Sequence, residues 1–163
     1  MGKRRPFARR SEILRLSEKL GTNANYLLHS LKSYNNKSLR IIVVDDEKII
    51  LNGNISVLGE VLPNAEIIGF INPEEAVSYA YKNHIDIALL DIQMGNISGL
   101  DVCRKLLSIS PSTHVIYLTA YKDYSFDAWE TEASGFLLKP LTEAAIRKKL
   151  LSLGYLDSDW EEI

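Results

Sequence analysis

The sequence has 163 residues, 46% of them apolar and 25% charged, with a formal net charge of −2, which fits one globular domain plus an added segment and excludes a disordered acidic chain or a fibrous repeat. No apolar run approaches the roughly 18 residues of a membrane span, and the lone Cys103 leaves no disulfide framework and no cysteine-based zinc site. Lys3, Arg4 and Arg5 are followed by no hydrophobic segment, so no secretory signal is read; the cytoplasm is the expected compartment and no membrane partner is expected.

Charge divides the chain. Residues 1–40 hold ten Lys and Arg against two Glu, whereas residues 41–163 hold nine against nineteen acids. A basic arm of +8 thus precedes an acidic body of −10, a pattern that suits contact with an acidic surface or a solvated leader. In the arm, Ile13, Leu20, Leu27 and Tyr34 fall seven apart, with Leu16, Ala24 and Leu31 between them. This stripe predicts a helix able to pair with a second copy or dock on the body. Gly21-Thr22-Asn23 interrupts it and predicts two short helices joined by a turn.

From residue 40 onward, short Ile- and Val-rich runs alternate with amphipathic stretches of helical length, the rhythm of a parallel sheet. Strands are predicted at Arg40–Val44, Glu66–Ile71, Ile85–Leu90, His114–Leu118 and Gly135–Leu138. Helices are predicted at Ile49–Leu62, Glu74–Asn83, Leu100–Ser108, Ser125–Ala133 and Thr142–Leu153. Pro73 and Thr142 suit helix starts and Gly154 a stop. Asn52, Gly53 and Asn54 are poor helix formers, so the first of these helices must rest on packing of Ile50, Leu51, Ile55 and Leu58. Strands apolar on both faces require helices on both, giving a three-layer α/β/α sandwich with an N-terminal helical extension. The domain limits expected are a basic extension over 1–38, the α/β body over 39–154 and an acidic tail over 155–163.

Ligands in such sheets gather at the carboxyl ends of the strands. The first strand delivers Asp45, Asp46 and Glu47 there, and the third delivers Asp91. Clustered carboxylates raise one another's pKa unless a cation neutralises them, and an oxygen-only ligand set without His or Cys selects a hard ion, Mg2+ best of all. The fourth strand adds Thr119 and the fifth adds Lys139. A carboxylate beside Mg2+, with one hydroxyl and one ammonium, is what phosphoryl transfer onto Asp requires. Singly, each residue reads as a helix cap, a strand end or a solvated lysine; their co-occurrence at one crevice carries the inference. His29 and His114 have no partner spacing for a metal or a nucleophilic triad.

The segments "IIVVDDE" (41–47), "ALLDIQMGNISGLDV" (88–102), "VIYLTA" (115–120) and "ASGFLLKPLT" (133–142) together resemble the receiver domain of two-component response regulators. The resemblance implies a flavodoxin-like (βα)5 fold with strand order 2-1-3-4-5. It also implies that Asp91 accepts a phosphoryl group from a sensor histidine kinase or phosphotransfer protein. Asp46 then ligates Mg2+ directly, Asp45 assists, and the Gln93 backbone carbonyl supplies another ligand. Thr119 hydrogen-bonds a phosphoryl oxygen, Lys139 pairs with Asp91 or its phosphate, and Phe136 occupies the place of the switching aromatic. The family's cis peptide falls at Lys139-Pro140. Gly95 departs from the family pattern, which has Pro there. Gln93 and Tyr121 occupy positions that tune dephosphorylation in the family.

The stretch "YKDYSFDAWETEASGFLLKP" is most similar to receivers that partner LytTR-type output domains; of Tyr121, Tyr124, Phe126 and Trp129, two are expected in the core and the rest on a surface patch of the fourth helix, where the resemblance implies dimerisation. Ten residues follow Leu153, too few for a C-terminal effector. In the arm, "LSEKLGTNANYLLHSL" (16–31) resembles the helix-turn-helix of AraC-type regulators, implying that Asn23, Asn25 and Tyr26 open a recognition helix; Ser30 departs from that pattern. The reading is therefore a signalling receiver rather than an enzyme. Its alternatives are DNA binding through the arm and a pseudo-receiver that only binds. A haloacid-dehalogenase-type hydrolase would need Asp where Gln93 stands.

Overall fold

The computed structural model describes residues 10–25, 27, 39–120 and 131–156. After helix α1 (Arg10–Leu20) come β1 (Arg40–Val44), α2 (Lys48–Val61), β2 (Glu66–Phe70), α3 (Pro73–Lys82) and β3 (Ile87–Asp91). A two-stranded antiparallel hairpin, β4 (Gln93–Met94) and β5 (Ile97–Ser98), leads into α4 (Gly99–Ile109), β6 (His114–Thr119), β7 (Gly135–Leu138) and α5 (Glu143–Ser152). The main sheet is parallel and five-stranded, in the order β2-β1-β3-β6-β7. With the hairpin strands set aside, this is the expected 2-1-3-4-5 order of a flavodoxin-like sandwich. The helix expected over 125–133 lies outside the described residues save for 131–133, as do Tyr26, His29, Ser30, Leu31 and Tyr34 in the arm and residues 157–163.

The continuous apolar runs are explained by burial on both faces. On one face, Ile41, Val43, Leu89, Ile116 and Leu118 pack with Leu51, Leu58, Ile146 and Leu150. On the other, Ile42, Val44, Leu90, Val115 and Tyr117 pack with Ala76, Val102, Cys103 and Leu106. Each buried Leu or Ile contributes about 1.5–3 kcal/mol, enough to hold strands that have little sequence of their own. Cys103 is fully buried. Helix starts follow local chemistry: Asn72 accepts from the Glu74 amide ahead of Pro73, Ser98 from Leu100, and Thr142 from Ala145. After α5 the chain turns at Gly154 (φ +82°). Tyr155 then tucks under the sheet, its hydroxyl 2.6 Å from His114 Nδ1.

Helix α2 persists through Asn52-Gly53-Asn54 because Leu51, Leu58 and Val61 are buried on its inner face. Asn54 is buried with them, and its amide nitrogen has no hydrogen-bond partner among the described residues. A buried unpaired amide costs about 1–3 kcal/mol. Asn54→Leu, similar in size, is expected to raise stability by about 1–2 kcal/mol. The check is the midpoint of a urea denaturation curve, and a lowered midpoint with unchanged slope would contradict it.

In the arm, the turn prevails over a continuous helix. The Thr22 amide donates to Ser17 O (3.0 Å) and the Gly21 amide to Glu18 O (3.3 Å), while Gly21 takes φ +61°. These are the two bonds of a Schellman stop, which needs a left-handed residue and therefore glycine. Asn23 then accepts from the Asn25 amide through Oδ1 at 2.7 Å, and its carbonyl accepts from the Leu27 amide at 3.1 Å, beginning a new helical turn. No helix among the described residues is long and apolar enough to cross a membrane.

Candidate functional site

Because the strands run parallel, their carboxyl ends lie along one edge, and β1, β3, β6 and β7 bring Asp45, Asp46, Asp91, Thr119 and Lys139 there. Asp45 and Asp46 follow β1 directly. The Asp45 amide donates to Phe70 O (3.1 Å), which ties the loop to the end of β2. Asp45 Oδ1 accepts from the Glu47 amide at 2.9 Å, so this carboxylate also shapes the entry to α2. Glu47 itself stands at the helix N-cap without a side-chain capping bond. Asp91 is the last residue of β3 and accepts from the Gln93 amide through Oδ1 at 3.3 Å.

Lys139 closes the cluster. Its ammonium lies 3.1 Å from Asp45 Oδ2 and 3.2 Å from Asp91 Oδ2. The Lys139 amide donates to Thr119 O at 2.8 Å, so the end of β6 fixes the stem of the lysine. The Lys139-Pro140 peptide is cis. Thr119 ends β6 and is buried. Phe136 is half-buried and stacks on Tyr117, ring centroids 5.6 Å apart.

Single carboxylate oxygens of Asp45, Asp46 and Asp91 all lie within 4.8 Å of one another. Asp45 and Asp91 are buried and Asp46 is exposed. Burial pushes the Asp91 carboxyl above its usual range, and the charge of Asp45 adds to this against the opposing pull of Lys139. Burial alone would lower Lys139, but its bond to Asp45 and the charges of Asp91 and Asp45 outweigh that and hold the ammonium above its usual range. One cation thus faces two buried carboxylates, with a third carboxylate at the mouth. The set keeps a net negative charge, and its all-oxygen donors are of the kind that hold a hard cation such as Mg2+.

Of the residues expected at the site, Asp45, Asp46, Asp91, Thr119 and Lys139 lie at this edge and Gln93 is tied to it by its amide bond to Asp91, with an exposed side chain, whereas Phe136 lies further back on β7, level with Tyr117. Two features were not anticipated. Lys139 bridges Asp45 as well as Asp91. The loop after Asp91 is a formed hairpin in which Gly95 takes φ +50°, a turn conformation closed to the proline that the resemblance implies at this position. Gly99 closes the hairpin, donating its amide to Ile92 O at 2.8 Å.

The chain matches the model of the response regulator receiver domain over residues 41–151. It is 34% identical to the transcriptional regulatory protein BtsR of Escherichia coli over 116 residues, 71% of this chain and 48% of that protein. It is 33% identical to the sensory transduction protein LytT of Bacillus anthracis, over 69% of this chain and 46% of that protein. The chain therefore spans a little under half the length of the curated relatives it matches. Among solved structures, the response regulator TrrA of Thermotoga maritima in complex with Mg2+-BeF is 32% identical with a TM-score of 0.62, covering 71% of this chain and 98% of that one. The chemotaxis protein CheY4 of Vibrio cholerae shares the fold at 21% identity and a TM-score of 0.63, covering 70% of this chain and 97% of that one.

Proposed function

The chain belongs to the response regulator receiver domain family, and from that premise we propose that it is a phosphoacceptor, taking a phosphoryl group on Asp91 from the phosphohistidine of a sensor kinase or phosphotransfer protein. The observation that carries the reading is the convergence of the Asp45, Asp46 and Asp91 oxygens within 4.8 Å beside the Lys139 ammonium. A receiver is a signalling module, and transfer is the one covalent step asked of it. An Asp91 oxygen attacks phosphorus, the phosphorus–nitrogen bond of the donor breaks, and the departing imidazole keeps the electron pair and takes a proton.

Asp46, Asp91 and the Gln93 carbonyl would hold Mg2+, with Asp45 assisting, and the ion when bound supplies charge neutralisation for the phosphoryl oxygens. In this reading Lys139, already 3.2 Å from Asp91 Oδ2, would meet one of those oxygens, and Thr119 would donate to another. Asp45 holds Lys139 in that position. The same reading gives Phe136 and Thr119 the task of reporting the modified state to a partner surface. Dimerisation, through the N-terminal helix or the helix expected over 125–133, would be one such partner contact.

Metal binding has its own test. Saturating Mg2+, at about a hundred times its dissociation constant, adds ~2.7 kcal/mol to a folded protein that alone binds it. The parent is expected to show a dose-dependent rise in Tm that EDTA reverses and that Asp46→Asn removes. An unchanged Tm across millimolar Mg2+ would count against the metal assignment.

A second reading concerns the arm, and the Schellman stop at Gly21 followed by the Asn23-capped turn supports it. A helix, a glycine turn and a new helical turn opening on exposed Asn23 and Asn25 would suit the corner of a DNA-reading helix-turn-helix. Exposed Arg15 and Lys19 on α1 suit phosphate contacts. The full chain would then bind a generic duplex with steep salt dependence, and Arg15→Glu with Lys19→Glu would lower the log–log slope by about 1.8. No binding at about 50 mM salt would remove this reading.

A further inference from the structure

Beneath the switch residues lies a buried polar cluster that the phosphoryl chemistry does not use. Tyr117, in the middle of β6, is fully buried. Its hydroxyl is 2.6 Å from the Thr131 hydroxyl. Thr131 is itself buried, and its carbonyl accepts a weak bond from Cys103 Sγ of α4 at 3.8 Å. Burial pushes both the Tyr117 hydroxyl and the Cys103 thiol above their usual pKa ranges, so both keep their protons at neutral pH.

The placement of this cluster gives it mechanical meaning. Tyr117 and Thr119 are two apart on one strand and point to the same side of the sheet. Phe136 is the direct partner of Tyr117 on β7, and their rings are 5.6 Å apart at 33°. The chain leaves β6 at Thr119 and returns at Thr131, which is fastened back to Tyr117 of the same strand. Three residues on, the Ser134 amide donates to Val115 O at 2.7 Å, completing the attachment. The excursion from Thr119 to Thr131 is therefore closed on β6 at both ends, and Phe136 leans on the residue that closes it.

We propose that the Tyr117–Thr131 hydrogen bond is a latch that holds the chain entering β7, and with it Phe136, in the unmodified arrangement. It opposes the movement that follows when Thr119 is drawn toward a phosphoryl group on Asp91. The proposal rests on the phosphoacceptor reading above and assigns Tyr117 and Thr131 as positioning residues, since neither touches the reacting atoms. A state held back by a latch is sampled less often, and uptake that depends on it slows by the same factor.

The test measures phosphoryl uptake by the full chain from a small-molecule donor with Mg2+, together with amide hydrogen exchange at Ser134. Tyr117→Phe keeps the ring and removes the hydroxyl; Thr131→Val keeps the shape and removes the partner; Thr131→Ser keeps the hydroxyl. Both Tyr117→Phe and Thr131→Val are expected to take up phosphate about three- to tenfold faster than the parent and to exchange Ser134 faster. Thr131→Ser is expected to restore parental values, which loosening of the fold by a smaller side chain would not do. Uptake equal in the parent and all variants would overturn the latch while leaving Asp91 as acceptor. No uptake by the parent itself would overturn the acceptor reading and the latch with it.

Discussion

Asp91→Asn is expected to abolish phosphoryl uptake while leaving the fold intact or slightly more stable. The amide has no nucleophilic oxygen comparable with a carboxylate, so no acyl phosphate forms. Folding loses little, because the carbonyl oxygen of the substituted side chain can still accept from the Gln93 amide that bonds Asp91 at 3.3 Å. Lys139 retains its bond to Asp45 at 3.1 Å. What disappears is a buried negative charge whose carboxyl is pushed up in pKa by burial first, with Asp45 adding to it. Removing it relieves desolvation and like-charge repulsion, and a change between neutral and about 1 kcal/mol stabilising follows. Thermal denaturation and intact mass on the same sample check both halves. A large loss of Tm would show that Asp91 is there to hold the structure.

Gly99→Ala is expected to have the largest effect on stability of any single methyl added to the site. A Cβ at Gly99 would fall on the Asp91 carbonyl oxygen, and it would lie 2.9 Å from both the Asp91 carbonyl carbon and Ile92 Cα. These neighbours are backbone and cannot swing aside as a side chain would. The hairpin must shift, stretching the Gly99 amide bond to Ile92 O and moving the loop that carries Asp91 and Gln93. A loss of about 3 kcal/mol is expected, a fall in Tm of roughly 10 °C for a domain of this size. Phosphoryl uptake is expected to fall with it, even at a temperature where the variant is folded. A Tm within a degree or two of the parent would show that the loop accommodates the methyl.

The two-sided apolar runs made the sheet legible in the sequence, since strands buried on both faces carry few polar interruptions. The carboxyl-edge rule brings Asp45, Asp46, Asp91, Thr119 and Lys139 to one edge from strand order alone. Three of the five strands shift a limit by one or two residues, where burial and pairing part company. Ile85 is buried yet precedes β3, and Ile71 lies beyond the last β2 pairing partner. The hairpin over Gln93–Ser98 was not legible, because strands of two residues have no periodicity. Gly95 signals only permissiveness until its φ is seen. The Gly99 approach, the orphan Asn54 amide and the Tyr117–Thr131 bond depend on how segments pack in three dimensions, which no local pattern encodes. In the arm, the seven-residue stripe and the Gly21 stop gave opposed signals, and the local capping chemistry decided between them.

Whether Asp91 accepts a phosphoryl group in a Mg2+-dependent reaction is read from the intact mass of the parent chain after incubation with a small-molecule phosphoryl donor, with Mg2+ and with EDTA, beside Asp91→Asn. The expected result is a gain of one phosphoryl group in the parent with Mg2+, none with EDTA and none in Asp91→Asn. An equal gain in Asp91→Asn, or a folded parent that gains nothing in Mg2+, would contradict it.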